Sequence, residues 1–439
     1  MSTNALPRKP QFVFNRHRCV GCQACMLGCA LKNDAYRVLY WRNISSTNQA
    51  RVPHLPVFHL SMACNHCQDA PCLKNCPALA YTRNSNLHLV LHQPQHCIGC
   101  KFCTWVCPYD APKFNPKTSV VEKCDFCEDL LKQGQTPSCV AHCPTGALVY
   151  QEEPLAEQGI QFNTYNTKPS LTITGASKPP LQIVSMDSEN TSPTTISIQT
   201  NEPMLNIWHE GPLLVFTLLI SWFAGRLAFL ALEPPLETPI LTLATGWLAL
   251  ALSGLHLGKK HRAGRAFLNL RNSALSREIL LCTLAVGAGT IGILFFTDQK
   301  WLPYFLIPAL IGAVASIDLV YRTKPLQIAP GIHSAETTFT AALAFAISTQ
   351  QPILINLILG VKLILVAWRY LNSKKLSLSL GPLPWVRIWS LGLALLMVLY
   401  AQYDYRTWLT ILVGEIVDRI LFYKELKIPS AQGVILDNQ

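Results

Sequence analysis

Sixteen of the seventeen cysteines lie before residue 144, and they fall in four groups of four. The groups are Cys19, Cys22, Cys25 and Cys29; Cys64, Cys67, Cys72 and Cys76; Cys97, Cys100, Cys103 and Cys107; and Cys124, Cys127, Cys139 and Cys143. The first and third have the spacing C-x2-C-x2-C-x3-C. The second widens the middle gap to four residues and the fourth widens it to eleven. Three cysteines on a tight loop suit three irons of one cubane, while a fourth, expected to start a short helix that points away, serves a neighbouring cluster. Structural zinc favours isolated C-x2-C pairs rather than triplets. The repeated triplet-plus-one pattern therefore predicts four 4Fe–4S clusters. Pro77, Pro108 and Pro144 follow the last cysteine of three groups, as in the ferredoxin run, and Ala30 departs from it in the first.

Charge and apolarity divide the chain the same way. Only 14% of residues are charged and half are hydrophobic, whereas about 25% charged is usual for a soluble domain. The long apolar runs come after residue 204. Residues 1–150 hold 15 basic and 7 acidic side chains, residues 151–203 hold 2 and 6, and the remainder 19 and 12. The basic residues of the first part are scattered between cysteines, with no run or stripe, so they read as a shell around anionic thiolate clusters and no nucleic-acid partner is expected. The opening MSTNALPRKPQFVFN has no apolar stretch, cleavage site or twin-arginine pair. No export signal supports a disulfide framework, which leaves metal binding.

Residues 12–150 resemble the four-cluster electron-transfer subunit of the complex iron–sulfur molybdoenzymes of the dimethyl sulfoxide reductase type. The stretches that carry the likeness are CNHCQDAPC, CIGCKFCTWVCPYDAPKFN and KCDFCEDLL followed by CVAHCPTGAL. The resemblance implies crossed ligation. One cluster would use Cys19, Cys22, Cys25 and Cys143, and a second Cys124, Cys127, Cys139 and Cys29. A third would use Cys64, Cys67, Cys72 and Cys107, and a fourth Cys97, Cys100, Cys103 and Cys76. It also implies a tandem ferredoxin-like α+β domain, with the first cluster nearest a molybdopterin-containing catalytic subunit and the fourth nearest the membrane. Residues 151–203, rich in Thr, Ser, Pro, Asn and Gln, read as a linker or wrapping arm, and TKPSLTI within them resembles a tail of that family that runs along the partner.

From 204 to 439 the chain reads as an all-α bundle of eight transmembrane helices, at about 20 residues per span. The spans are approximately 205–232, 239–258, 274–296, 301–321, 335–350, 352–371, 384–402 and 406–425, the fifth short and broken by STQQP. Trp208, Trp301, Tyr304, Tyr321, Trp385 and Trp408 are candidate interface anchors. On the side of the cysteine domain lie Lys259, Lys260, Arg262, Arg265, Arg271, Arg277, Arg322, Lys324, Arg369, Lys374, Lys375, Arg387, Arg419, Lys424 and Lys427, against Lys300 and Arg406 opposite. Such a bias predicts a cytoplasm-facing cysteine domain on a bacterial inner membrane. Arg226, Asp318, Lys362 and Glu415, inside spans, read as paired or snorkelling residues, and Cys282 as a core residue.

The run HLGKKHRAGRAFLNLRNSALSREIL, residues 256–280, resembles the anchor subunit of the same family, whose menaquinol site implicates the positions of His256 and Glu278. A His or carboxylate at the interface hydrogen-bonds a quinone carbonyl and accepts a proton. Capping by His256 and pairing of Glu278 with Arg277 is the structural alternative. The chain thus reads as a fusion of electron-transfer and anchor subunits, moving electrons between menaquinone or ubiquinone and a dimethyl sulfoxide reductase or sulfite dehydrogenase type partner. No substrate site of its own is visible. A polysulfide reductase, formate dehydrogenase or hydrogenase anchor would share the clusters, and a transport or metal-sensing membrane protein with a structural Cys domain is the alternative of another class.

Overall fold

The structure, a computed structural model, describes residues 8–33, 40–46, 57–154, 166–174, 211–233, 239–296, 299–323, 333–371, 383–400 and 405–426. The chain divides into two compact units with the boundary between Pro203 and Met204.

The N-terminal unit is built from short pieces. They are β1 (Arg8–Asn15), α1 (Ala24–Lys32), β2 (Asn43–Ser46), β3 (His59–Met62), α2 (Pro71–Asn75), β4 (Tyr81–Arg83), β5 (Val90–His92), α3 (Phe102–Trp105), β6 (Lys113–Asn115), β7 (Val120–Glu122), α4 (Glu128–Lys132), α5 (Ser138–Ala141), β8 (Leu148–Pro154) and β9 (Leu171–Thr174). Three antiparallel hairpins, β2–β3, β4–β5 and β6–β7, accompany one three-stranded sheet. In that sheet β1 is central. It pairs antiparallel with β8, Phe12 opposite Tyr150, and parallel with β9, Phe14 opposite Ile173. Alternation along QFVFN turns Phe12 and Phe14 inward, where Phe12 stacks on Phe126 at 4.1 Å. The strand β9 comes from the TKPSLTI stretch, so this part of the expected arm is a strand of the N-terminal sheet.

The second unit is helical, with α6 (Gly211–Leu232), α7 (Ile240–Leu255), α8 (Ala274–Phe295), α9 (Leu302–Tyr321), α10 (Thr337–Thr349), α11 (Pro352–Leu371), α12 (Leu383–Leu399) and α13 (Tyr405–Glu425). Each of the eight expected spans is met by one of these helices. Length and apolarity suit a membrane crossing in α6, α8, α9 and α11, and α7 makes a fifth with the 3-10 helix Lys260–Phe267 bent 106° from it. The other three depart because α10 and α12, at 13 and 17 residues, are short and α13 is charged. At 13 residues α10 is about 20 Å long, and it starts inside protein, where Asp318 of α9 accepts hydrogen bonds from the backbone and hydroxyls of Thr337 and Thr338 at 2.6–3.1 Å. The length of α13 is sufficient, but it carries Glu415, Asp418 and Arg419 on buried positions.

The bundle is apolar outside and ionic within. Leu241, Phe305, Ile353 and Trp389 are exposed, as lipid-facing side chains would be. Inside, Lys362 lies 2.8 Å from Glu415, and Arg387 bridges Glu415 and Asp418 at 2.9 Å each. Ser334 and Thr340 donate to the same carboxylates at 2.7 Å. Arg369 holds Glu425 at 2.6 Å, with Tyr370 donating to its second oxygen. Lys362 and Glu415 are therefore paired residues, as expected. Arg369, Arg387 and Arg419 are buried rather than loop charges, and Tyr321 is no interface anchor, because its hydroxyl meets that of Tyr423 at 2.7 Å inside the bundle. Trp208, Lys324, Lys374, Lys375 and Lys427 lie outside the described residues.

Close approach of α6 and α10 depends on Gly225, where an added Cβ would sit 2.1 Å from the Ala341 carbonyl oxygen. Gly225→Ala is expected to cost about 1–3 kcal/mol through forced separation of the helices, read as a lowered Tm of the detergent-solubilised chain. An unchanged Tm would refute this packing.

Candidate metal centres

A common backbone device opens each cysteine group. The residue before the second cysteine has a left-handed φ in all four: Gly21 at 70°, His66 at 43°, Gly99 at 71° and Phe126 at 68°. Glycine adopts this freely, whereas His66 and Phe126 are held there by burial. The bend folds the loop back on its first sulfur. The N–H of His66 donates to the Cys64 Sγ at 3.5 Å, that of Gly99 to Cys97 at 3.4 Å and that of Phe126 to Cys124 at 3.3 Å. A helix then starts at or one residue before the third cysteine: α1 at Ala24, α2 at Pro71, α3 at Phe102 and α5 at Ser138. The spacing predicts a fourth cysteine that begins a helix. Instead, the short helix runs from the third cysteine toward the fourth, which sits in or just beyond its last turn. A spacing of four residues advances about one helical turn, enough to carry the last sulfur away from the loop.

The structure brings the groups together in pairs. Cys64, Cys67, Cys72 and Cys107 line one pocket with His66, Val90, Tyr109 and Lys123. Cys76, Cys97, Cys100 and Cys103 line another with Tyr81, Ile98 and Lys101. In the other half, Cys143 lies within electrostatic reach of Cys19 and Cys25, and Cys29 of Cys124, Cys127 and Cys139. There α1 packs on α5 through Gly28, whose carbonyl accepts from Ser138 at 2.8 Å and where a Cβ would collide with His142 at 2.7 Å.

These sulfurs fit iron–sulfur clusters. Burial pushes the thiols of Cys29 and Cys107 up to about 12 and that of Cys127 to about 11, and it drives Cys72 and Cys100 higher. A buried thiolate forms only beside a strong positive partner. Iron would supply one at every sulfur, and a cluster held there would store one electron at a time. Three cations that in the sequence belong merely to a scattered shell, Lys9, Arg42 and Lys123, are all wholly buried among the cysteines. Burial and Arg83 together lower Lys9 to about 8, and the nearby Cys67 and Cys64 oppose that fall. His66, buried beside Lys123 and Lys9, is held neutral, its pKa well below the usual imidazole value. Lys123 directly precedes Cys124, the one sequence signal that could have flagged it.

His256 and Glu278 lie at one end of the helical unit, His256 closing α7 and Glu278 in the second turn of α8. Ser273 caps α8, accepting from the Ser276 N–H at 3.3 Å. Glu278 is buried and does not pair with Arg277, which donates instead to the carbonyls of Leu270 and Arg271. Around Glu278 stand Asp318, Cys282, Tyr321 and Tyr423.

Sulfur cages of this kind and a helical unit with membrane-length apolar helices define an iron–sulfur membrane protein of the electron-transport class. A family profile for a 4Fe–4S dicluster domain matches residues 55–153, which hold the last three cysteine groups. The chain is 32% identical over 181 residues to the B subunit of anaerobic dimethyl sulfoxide reductase from Haemophilus influenzae, covering 87% of that protein and 39% of this chain. It is 37% identical over 152 residues to the thiosulfate reductase electron transfer subunit PhsB of Salmonella typhi, covering 78% of that protein and 34% of this chain. The corresponding dimethyl sulfoxide reductase subunit of Escherichia coli K12 is 34% identical over 145 residues, which are 70% of that protein and 31% of this chain. The chain belongs to the family of dimethyl sulfoxide reductase B subunits, and the matched part is the cysteine-bearing one.

Crossed ligation makes a specific prediction. Cys143→Ser is expected to alter the cluster of Cys19, Cys22 and Cys25, read as a changed EPR signal and lost iron, while the cluster of Cys124, Cys127 and Cys139 stays intact. Damage to the second with the first spared would reverse the assignment.

Proposed function

We propose that this chain is the joined electron-transfer and membrane-anchor component of a quinone-linked molybdoenzyme, with four 4Fe–4S clusters leading between membrane quinone and a molybdopterin-containing subunit of the dimethyl sulfoxide or thiosulfate reductase type. The observation that carries the reading is the alternation of sulfur donors, three from one group and one from its neighbour, walling both cavities of the cysteine unit. Sharing ligands between groups locks successive clusters at short separations, as electron hopping requires. Cys22 is exposed, as are Val20, Leu27 and Leu31 of the same segment. An apolar rim beside the most accessible sulfur suits the docking face of a catalytic subunit.

The quinone half-reaction belongs to the helical unit. Oxidising a quinol releases two electrons and two protons, so the site needs an acceptor near the quinol oxygens. Glu278 is a buried carboxylate suited to take a proton, and His256 at the end of α7 is suited to hold a carbonyl or hydroxyl oxygen. The basic loops support a bacterial inner membrane with the cysteine unit on the cytoplasmic side. With the three buried arginines left aside the bias is still strong, since Lys259, Lys260, Arg262, Arg271 and Arg277 sit on one side and Lys300 and Arg406 on the other.

In membranes, His256→Ala and Glu278→Gln are expected to slow quinol-driven cluster reduction by about tenfold or more, with dithionite-reducible clusters unchanged. Unaltered quinol rates in both variants would place the site elsewhere. A green fluorescent protein fused to the C-terminus is expected to fluoresce, whereas an alkaline phosphatase fusion there is expected to be inactive. The opposite pair of results would put the cysteine unit outside the cytoplasm.

A further inference from the structure

Arg42 is 1% exposed, and its guanidinium is built into the gap between two cysteine sets. Its Nη1 donates to the Ser61 hydroxyl at 3.0 Å, and that hydroxyl lies 3.3 Å from the Cys25 sulfur. Cys29, Cys124 and Cys139 of the second set also act on its charge. The guanidinium also stands over the Phe12 ring, 4.4 Å from its centroid. Its Nε and Nη2 are buried and have no acceptor among the described residues. A buried fork of N–H donors without acceptors costs several kcal/mol unless an anion receives it. The sulfides and thiolates of a cluster are the anions at hand.

Lys123 repeats the arrangement one junction further on. Its ammonium donates to the carbonyls of Val90 and, at 2.8 Å, Cys124, and it hydrogen-bonds Cys64. It also lines the cavity of Cys64, Cys67, Cys72 and Cys107. No buried cation serves the cavity of Cys76, Cys97, Cys100 and Cys103 among the described residues. Tyr81 lines it with a neutral hydroxyl near Cys103, and Lys101, only part-buried, lines its rim and stands over Phe114 at 4.8 Å.

We propose that Arg42 and Lys123 are bridging cations, each set between two clusters and raising the reduction potentials of both, Arg42 for the Cys19/Cys22/Cys25/Cys143 and Cys124/Cys127/Cys139/Cys29 pair and Lys123 for the latter and Cys64/Cys67/Cys72/Cys107. The inference rests on the four-cluster, crossed-ligand reading. When an electron hops, the receiving cluster gains one negative charge and its neighbour loses one. A fixed cation between them stabilises whichever is reduced, so the electron moves between sites of matched energy. The middle cluster, shared by both cations, is the most favoured, and the cluster of Cys97, Cys100, Cys103 and Cys76 is the hardest to reduce.

The test is EPR-monitored potentiometry of the full chain in membranes, comparing the parent with Arg42→Gln and Lys123→Met. At fixed ambient potential each variant is expected to lower the reduced-to-oxidised ratio of two clusters by about tenfold, which for one electron is about 59 mV. Across the two variants one midpoint should move twice, two should move once, and one should not move. Arg42→Lys, which keeps the charge, should leave all four near the parent values. Ser61→Ala, which removes only the hydroxyl link to Cys25, should move a single midpoint, and it stands in if Arg42→Gln fails to retain iron. Four midpoints in the parent with any other pattern, such as none or all moving, would overturn the inference alone. Fewer than four midpoints in the parent would overturn the four-cluster reading beneath it.

Discussion

Burial of sulfur is the constraint on which the cysteine unit depends. Twelve of its sixteen cysteines are buried and occupy the positions that Leu, Ile and Val fill in an ordinary domain of this size. The strands are mostly three or four residues long and the helices four to nine, too short to supply a core by themselves. The apolar residues that remain, such as Leu89, Val106 and the stacked pair Phe12 and Phe126, are buried alongside the cysteines. Iron bound there would neutralise thiolates that burial otherwise keeps protonated.

The helical unit meets the opposite constraint with the same logic. Lipid-facing positions favour apolar side chains, so charges turn inward, and most of the buried ones here find a partner. Lys362, Arg387, Glu415 and Asp418 form one closed group, and Arg369 and Glu425 a second, each ion pair fixed by hydroxyl donors such as Ser334, Thr340 and Tyr370. Removing one member strands the others, which makes such a group costly to break but weak evidence of net stabilisation. Its clearest structural consequence is register: it ties α11, α12 and α13 together at one depth.

Much of this is legible in residue order. The quartet spacing points to iron–sulfur chemistry without any fold, because ligands of one loop are close in sequence. Helix positions after residue 204 are readable from apolar run length. The less legible features are those set by distant neighbours. The length of α10 depends on Asp318, about twenty residues earlier, capping Thr337 and Thr338. Tyr321, with an aromatic side chain at a helix end, resembles an interface anchor and proves to be the partner of Tyr423, 102 residues away. Arg42, Lys9 and Lys123 look like surface charge because sequence carries no record of depth.

What the sequence determined by itself is the chemistry available: thiolate groups spaced for cubanes, apolar stretches long enough for lipid, and a His and a Glu at adjacent helix ends. Only the tertiary structure decided which sulfurs from different groups share a cavity, which carboxylate is buried, and which cations lie between sulfur cages. The physical reason is range. Loop spacing and helical periodicity act over a few residues and are written locally, whereas desolvation and Coulomb interaction depend on what the rest of the chain brings within a few ångström.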